Sequence, residues 1–275
     1  MPEIVSLLSS GIIGGFLGAF IGGFAKFFWE NWLPGQLTWR REQKVEMEKL
    51  LSQFRNPAIM ATADLQGRIF VLLNGGNYKY LQKVGMGEYY ILSTAFLIAQ
   101  FFAWVELLLQ RMSMLDYSEF TGRLEKATES FSHGTPGFQI FRLEQREIGQ
   151  RMINTSSNSS FHCLGYAEFV DMMKNGNVSS CFTRLETITE KLVEHPENEM
   201  ARLTAIQHAL IDLIMFLDPK AAWVPKKVRA KFDLMNYLVE NRDQINAKTY
   251  NKVIRDIEWF DELNDNQAKA LEPKQ

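Results

Sequence analysis

The sequence contains few of the residues that hold small or metal-dependent folds together. It has two cysteines and eight prolines among 275 residues. Two cysteines cannot form a disulfide framework, and the scarcity of proline leaves room for long helices. There is no Cys-x-x-Cys or His-x-x-x-His pair, and we interpret the four histidines and two cysteines as loop and core residues. We therefore expect no metal site and no cofactor.

The sequence also has no large excess of positive or negative charge. Thirty Lys and Arg residues against 32 Asp and Glu residues leave a net charge of −2, which argues against nucleic acid as a partner bound through bulk charge. The sequence has no G-x-S-x-G nucleophile elbow and no Walker loop for phosphate. Its 46% of hydrophobic residues is close to the globular average, so the composition allows a buried core without indicating a reaction.

One long uncharged stretch is present near the N-terminus. The 22 residues from Ile4 to Ala25 would extend about 33 Å as a helix, against a hydrocarbon core of roughly 30 Å. A secretory signal would begin with a basic region, whereas this chain begins Met-Pro-Glu and carries Trp29 and Trp32 after the stretch, as interfacial aromatics. We predict a retained transmembrane helix, with a cleaved signal peptide and a soluble core helix as the alternatives.

The flanking charges predict the orientation of this helix. The N-terminal side offers Glu3 and the α-amine, whereas the C-terminal side is basic. The positive-inside rule therefore predicts a single-pass membrane protein in contact with lipid, with its N-terminus outside and residues 33–275 in the cytoplasm. The basic residues are Lys26, Arg40, Arg41, Lys44 and Lys49.

Small residues in this stretch are arranged in two rows with a spacing of four. At 100° per residue the rows lie side by side, and phenylalanines such as Phe20 fall on the opposite face. Faces of this kind let helix backbones approach closely in lipid, so we predict a homo-oligomer formed through the transmembrane helix. The glycines of the predicted interface are Gly11, Gly14, Gly15, Gly18, Gly22 and Gly23.

Beyond Leu33-Pro34-Gly35 the sequence predicts an all-α body, an irregular bundle of about seven to nine helices. Apolar residues recur at helical spacing, and strand alternation is confined to a hint at Phe138-Gln-Ile140. We divide the chain into an anchor (1–32), a helical domain (33–263) and a polar tail (264–275). Helices are predicted at Trp39–Phe54, Ala58–Leu73, Glu88–Met112, Phe120–Phe131, Cys181–Leu192, Leu203–Leu217, Val228–Val239 and Ala247–Leu263.

A second uncharged run, Tyr89–Val105, has two interpretations. Its 17 residues are at the lower limit for crossing a membrane, Gln100 lies within it and Glu106 follows at once. A second crossing would also place the later basic helices outside, against the charge rule. We predict the buried central helix of the bundle, and a second membrane span is the alternative.

Two groups of polar residues are candidate sites. Charged residues in apolar surroundings would form a polar cluster between helices, where buried charges must pair; its members are Asp64, Arg68, Glu106, Glu144 and Arg146. A basic segment with an aromatic insertion suits an anionic membrane surface, with an ordinary solvated helix start as the alternative; its members are Lys220, Trp223, Lys226, Lys227, Arg229 and Lys231.

The segment from Phe54 to Phe70 resembles part of an uncharacterised family of helical proteins. The shared residues are Asn56-Pro57, followed by Asp64-Leu65-Gln66 and Arg68. The resemblance implies a helical fold and no known activity.

The sequence is compatible with three functions. The first expectation is a non-enzymatic interaction or scaffold protein, anchored by a self-associating helix and holding a helical domain for an unidentified protein partner. The second is an oligomeric membrane effector or pore gated by the helical domain. The third is a membrane-bound enzyme that uses the Asp64, Arg68 and Glu106 neighbourhood for acid–base chemistry.

Overall fold

A computed structural model describes residues 54–75, 86–112, 118–132, 138–155, 161–175, 178–243 and 245–257. The chain divides into two units, Met1–Ser52 and Gln53–Gln275, and the described residues all belong to the second. The predicted transmembrane helix, its glycine rows and the predicted boundaries at residues 32 and 263 lie outside the described residues.

Most of the described residues are helical, as the composition and apolar spacing predict. Short 3₁₀ turns, Pro196–Glu199 and Lys226–Val228, lie on either side of the seventh helix. In chain order the helices are α1 (54–73), α2 (Met86–Met112), α3 (Ser118–Ser132), α4 (Arg142–Met152), α5 (Tyr166–Lys174), α6 (Ser180–Glu194), α7 (Met200–Leu217), α8 (Leu234–Glu240) and α9 (247–257).

The β-structure of the described ranges is a two-stranded antiparallel sheet, β1 (Ile153–Thr155) and β2 (Phe161–Cys163), with Asn154 opposite His162. The hint of strand alternation at Phe138–Ile140 does not correspond to a strand. Phe138 and Ile140 are buried in the connection between α3 and α4, where the Ile140 N–H donates to the carbonyl of Phe131. Burial of both side chains, rather than strand pairing, explains the alternating pattern.

α2 lies at the centre of the described body, because α3, α4, α5, α6 and β2 all pack against it. Phe101 and Phe102 are each 1% exposed and pack against the ring of Phe131 from α3. Two described helical stretches, Met86–Arg111 and Pro196–Leu217, have the length and composition to cross a membrane, but 78% and 72% of their apolar windows are buried within the protein. The run Tyr89–Val105 lies in the first of them.

The crossing of α4 over α2 depends on a glycine. A Cβ at Gly149 of α4 would lie 2.6 Å from the carbonyl oxygen of Phe102 and 3.2 Å from Cβ of Glu106, both on α2. The first separation is too short for non-bonded atoms and its partner is a backbone oxygen, so a side chain larger than glycine's would force the two helices apart. The crossing brings the polar α4 against the middle of the apolar α2.

α1 and α7 complete the part of the body that positions the candidate sites. The guanidinium of Arg55 on α1 donates to the carbonyl of Leu217 at the end of α7, and α7 packs against α3. The helix expected at Val228–Val239 is shorter than predicted, because α8 begins only at Leu234. The preceding segment is held in a non-helical conformation by the side chain of Gln207, which donates to the Ala230 carbonyl at 2.9 Å and accepts from the Phe232 N–H at 3.1 Å.

Candidate functional site

The charged residues of the predicted polar cluster occupy four separate places. Glu106 and Arg146 are brought together where α2 and α4 cross, with 3.5 Å between Oε2 and Nε. Arg68 contacts the beginning of α2, and Glu144 pairs with Arg184 of α6. Asp64 is exposed on α1, where partial desolvation raises its pKa.

The Arg68 side chain joins α1 to the first turns of α2 through hydrogen bonds. Its Nη1 donates to Thr94 Oγ1 at 2.7 Å, to Ser93 Oγ at 3.1 Å and to the Tyr90 carbonyl at 3.2 Å. The guanidinium also lies 4.1 Å from the centre of the Tyr90 ring, a cation–π distance. The role of Arg68 in this geometry is to join two helices.

Glu106 is a carboxylate with a nearly buried side chain, 3% exposed. Its Oε1 accepts from Gln110 Nε2 at 3.0 Å and from Gln150 Nε2 at 2.9 Å, while Oε2 faces Arg146. Burial raises the pKa of Glu106, but the hydrogen bonds from Gln150 and Gln110 and the charge of Arg146 outweigh it, so the pKa lies below its usual range. Glu106 is thus held as an anion.

A cleft of about 160 Å³ opens beside this carboxylate. Its lining combines apolar and polar side chains of α2 and α3 with Gln145 and two arginines of α4. Sites for small molecules are usually 300–1,000 Å³, so this cleft has room for a few water molecules or a small polar group. Its lining residues are Phe102, Val105, Glu106, Leu109, Leu124, Glu125, Thr128, Arg142, Gln145 and Arg146.

Glu144 acts at the beginning of α4. Its Oε2 accepts from the backbone N–H of Phe141 at 2.8 Å, which caps the helix, and its other oxygen accepts from the Arg184 guanidinium. Arg184 also donates to the carbonyl of Gln139 at 2.9 Å. This network joins α4 to α6 and to the connection before α4.

Neither cysteine is activated as a nucleophile. The Cys181 thiol donates to Glu147 Oε2 at 2.9 Å, and burial together with that carboxylate raises the pKa of Cys181 to about 11. Burial and the charge of Glu168 raise the pKa of Cys163 to about 12. Since the thiolate is the nucleophilic form, these raised pKa values disfavour reaction of either side chain at neutral pH.

The predicted basic segment forms a loop, residues 218–229, that we call the Trp223 loop. At its base, Asp218 is 1% exposed and accepts hydrogen bonds from the backbone N–H groups of Ala222, Trp223 and Val224 at 2.9–3.0 Å. Arg229 closes the loop, with Nη2 2.6 Å from Asp218 Oδ2 and further bonds to the carbonyls of Asp218 and Val224. Burial raises the pKa of Asp218, but these donors and Arg229 outweigh it and lower the pKa.

The basic residues of this segment therefore have different roles. Arg229 points inward and is 8% exposed, and Lys231 pairs with Asp212 at 2.7 Å. Lys220, Lys226 and Lys227 are exposed at the surface of the loop, as is Trp223.

Sequence reasoning passed over several residues on which both sites depend. Gln110 and Gln150 hold Glu106, Gly149 allows α4 to approach it, and Asp218 organises the Trp223 loop. The sequence carries a weak signal for Asp218, because Asp218-Pro219 directly follows an apolar helix and precedes the basic segment. The glutamines carry no recognisable pattern.

Comparison with known proteins returned no significant similarity: no family model, no curated protein and no solved structure matches this chain.

Proposed function

We propose that the protein is a membrane-anchored helical interaction protein that associates with copies of itself through its glycine-faced N-terminal helix. In this proposal Ile4–Ala25 crosses the membrane once, with the N-terminus outside, and the helical body lies in the cytoplasm. The body presents its surface to a protein partner. The charge pattern around the apolar stretch and the two rows of small residues support this assignment.

The state of Glu106 argues against an enzyme that uses this carboxylate for acid–base chemistry. A general acid or base works best when its pKa is near the operating pH. Glu106 instead has a lowered pKa, and Gln110, Gln150 and Arg146 occupy both of its oxygens. With a cleft of only about 160 Å³ beside it, this carboxylate is suited to joining α2 to α4.

Crosslinking in membranes tests the proposed self-association. Gly18→Ile places a branched side chain where two helix backbones would touch, and association in lipid depends on close van der Waals packing. Phe20→Leu on the opposite face changes only the contact with lipid and is the matched control. We expect dimers or larger assemblies for the natural sequence and for Phe20→Leu, and few for Gly18→Ile.

Equal crosslinking of all three proteins would overturn self-association through the glycine face. Ion leakage on expression of the natural sequence, abolished by Gly18→Ile, would instead indicate a pore assembled from these helices.

A further inference from the structure

The Trp223 loop presents an apolar ring and three cations to solvent. Trp223 is 53% exposed and Val228 is 45% exposed. Lys220, Lys226 and Lys227 are exposed around them. Tryptophan favours the boundary between water and lipid, where its ring is buried and its N–H stays hydrated.

The exposed charge of the loop is positive. From Pro219 to Phe232 there is no acidic residue. Asp218 is buried against Arg229, and Asp212 is paired with Lys231. The nearest exposed carboxylate in the sequence is Asp233, which accepts a hydrogen bond from the Asn236 N–H as the N-cap of α8. Nothing within the loop therefore offsets its three exposed lysines.

The backbone of the loop is held in place before any partner arrives. Three N–H groups and one guanidinium converge on Asp218, and Arg229 occupies the Val224 carbonyl with two of its nitrogens. Ala221 is held at a φ of 53°, in the left-handed region that alanine rarely adopts. Such a loop loses little conformational entropy when it docks, which strengthens binding.

We propose that the Trp223 loop docks on an anionic phospholipid surface. Trp223 and Val228 enter the interface, and Lys220, Lys226 and Lys227 lie over the headgroups. A membrane accounts for both features, because the apolar side chains are buried at the acyl boundary while the lysines are attracted by the surface potential. This inference goes beyond the proposed function, since the loop binds lipid whether or not residues 4–25 cross the membrane.

A fluorescent probe next to Trp223 tests the docking in the full-length protein. Ala222 is exposed, so Ala222→Cys carries an environment-sensitive dye, and the raised pKa values of Cys163 and Cys181 slow labelling elsewhere. The protein is reconstituted in vesicles of phosphatidylcholine alone or with 30% phosphatidylserine. We expect a blue shift, and quenching by a spin-labelled lipid, only in the vesicles that contain phosphatidylserine.

Charge variants decide whether the lysines of the loop are responsible. The double change Lys226→Gln and Lys227→Gln should lower the ratio of docked to free loop by roughly 25-fold, about fivefold for each lysine. The matched control, Lys191→Gln with Lys248→Gln, removes two exposed lysines outside the loop and should leave the dye response unchanged. Circular dichroism confirms that each variant is folded.

Three results would overturn the proposal: equal dye responses in neutral and anionic vesicles, a dye that remains in water in both, or an equal loss of response in the control variant. A dye that stays in water in both types of vesicle would mean that the loop faces solvent or a protein. Resistance to carbonate extraction, measured on the same samples, reports on the N-terminal anchor separately.

Discussion

Asp218 shows how much of the local structure one side chain can determine. Its carboxylate receives four donors, three from the backbone and one from Arg229, at the point where α7 ends. Removing one partner of a buried charge pair leaves the other charge uncompensated, which is far more costly than losing an ion pair at the surface. The conformation of the Trp223 loop therefore depends on this residue.

We predict that Asp218→Asn lowers the free energy of unfolding by about 3 kcal/mol, because it leaves the nearly buried Arg229 without a counter-charge. The matched control is Asp233→Asn at the exposed N-cap of α8, where asparagine caps as well as aspartate and the cost should be a few tenths of a kcal/mol. Urea denaturation of both variants is the measurement. Equal costs would mean that the Asp218–Arg229 pair contributes little.

Lowering the pH should remove the stabilisation that the Asp218 carboxylate provides. Because the pKa of Asp218 is lowered in the folded protein, its stabilisation is complete above the unfolded pKa of about 3.9 and is lost as the pH falls through the lower, folded value. The stability difference between the natural protein and Asp218→Asn should thus be constant from pH 7 to about pH 5 and should shrink below pH 4. A difference that already shrinks at pH 6 would contradict this assignment.

His208 on α7 is predicted to make stability depend on pH near neutrality. Burial lowers the pKa of His208, and the charges of Lys231 and Lys126 lower it further. The Phe232 carbonyl, 3.0 Å from Nε2, and Asp212 act in the opposite direction but do not outweigh burial. Since the unfolded chain takes up a proton more readily below about pH 6.5, stability should fall as the pH drops from 7.5 to 5.5, by at most about 1.4 kcal/mol per pH unit. His208→Gln keeps a donor for Phe232 and should flatten this slope in chemical denaturation, whereas an unchanged slope would exclude His208 as its origin.

At the scale of secondary-structure elements, the contact between α2 and α4 depends on one small residue. α4 is polar along most of its length, yet it packs against the centre of the long apolar helix α2. Gly149 permits this, and the Gln150–Glu106 hydrogen bond joins the two helices beside it.

We predict that Gly149→Ala destabilises the protein by about 1–2 kcal/mol. The added Cβ meets backbone atoms of Phe102, and the cost of such overpacking exceeds the gain of up to about 1 kcal/mol from the higher helix propensity of alanine. Gly122 in the second turn of α3 has no atom within 4 Å of an added Cβ, so Gly122→Ala should be neutral or stabilising. Thermal unfolding distinguishes the two variants, and similar effects would show that the crossing can relax.

The elements that the sequence predicts well are those with a long apolar stripe. Spacing alone locates α2, α3, α6 and α7 to within a few residues, because each buries one continuous face. It misses α4, where polar residues outnumber apolar ones, and the nine-residue α5, of which only Phe169 is buried. It also extends α8 too far towards the N-terminus. In that last case residues 229–233 carry helical spacing, but the Gln207 side chain provides backbone-like partners that hold them in another conformation.

For the whole molecule, we predict that the intact chain stays in the membrane pellet after carbonate extraction. The reason is the 22-residue uncharged stretch, whose removal from lipid would expose a long apolar helix to water. Residues 33–275 alone should be soluble and helical by circular dichroism. If the truncated protein also requires detergent, then Tyr89–Val105 serves as a second membrane span and the single-pass interpretation is wrong.

The candidate sites were less predictable than the fold. Sequence spacing places Asp64 and Arg68 on one helix, but it gives no information about which helix faces them, and Arg68 in fact contacts α2. The pairing of Glu106 with Gln150 joins positions 44 residues apart, so it depends on the crossing of two helices rather than on any local pattern. The sequence shows that the segment is basic. It does not show that Arg229 points inward, because that orientation depends on the position of Asp218 in the fold.

The hydrogen bonds at the base of the Trp223 loop have a consequence for proteolysis. Lys226 and Lys227 are exposed and adjacent, which by sequence makes them a good site for trypsin. A protease, however, must open its substrate into an extended strand, and here this requires breaking the bonds between Arg229 and both Asp218 and Val224. Cleavage at this pair should therefore be slow in the folded protein and should become fast when Asp218 is replaced.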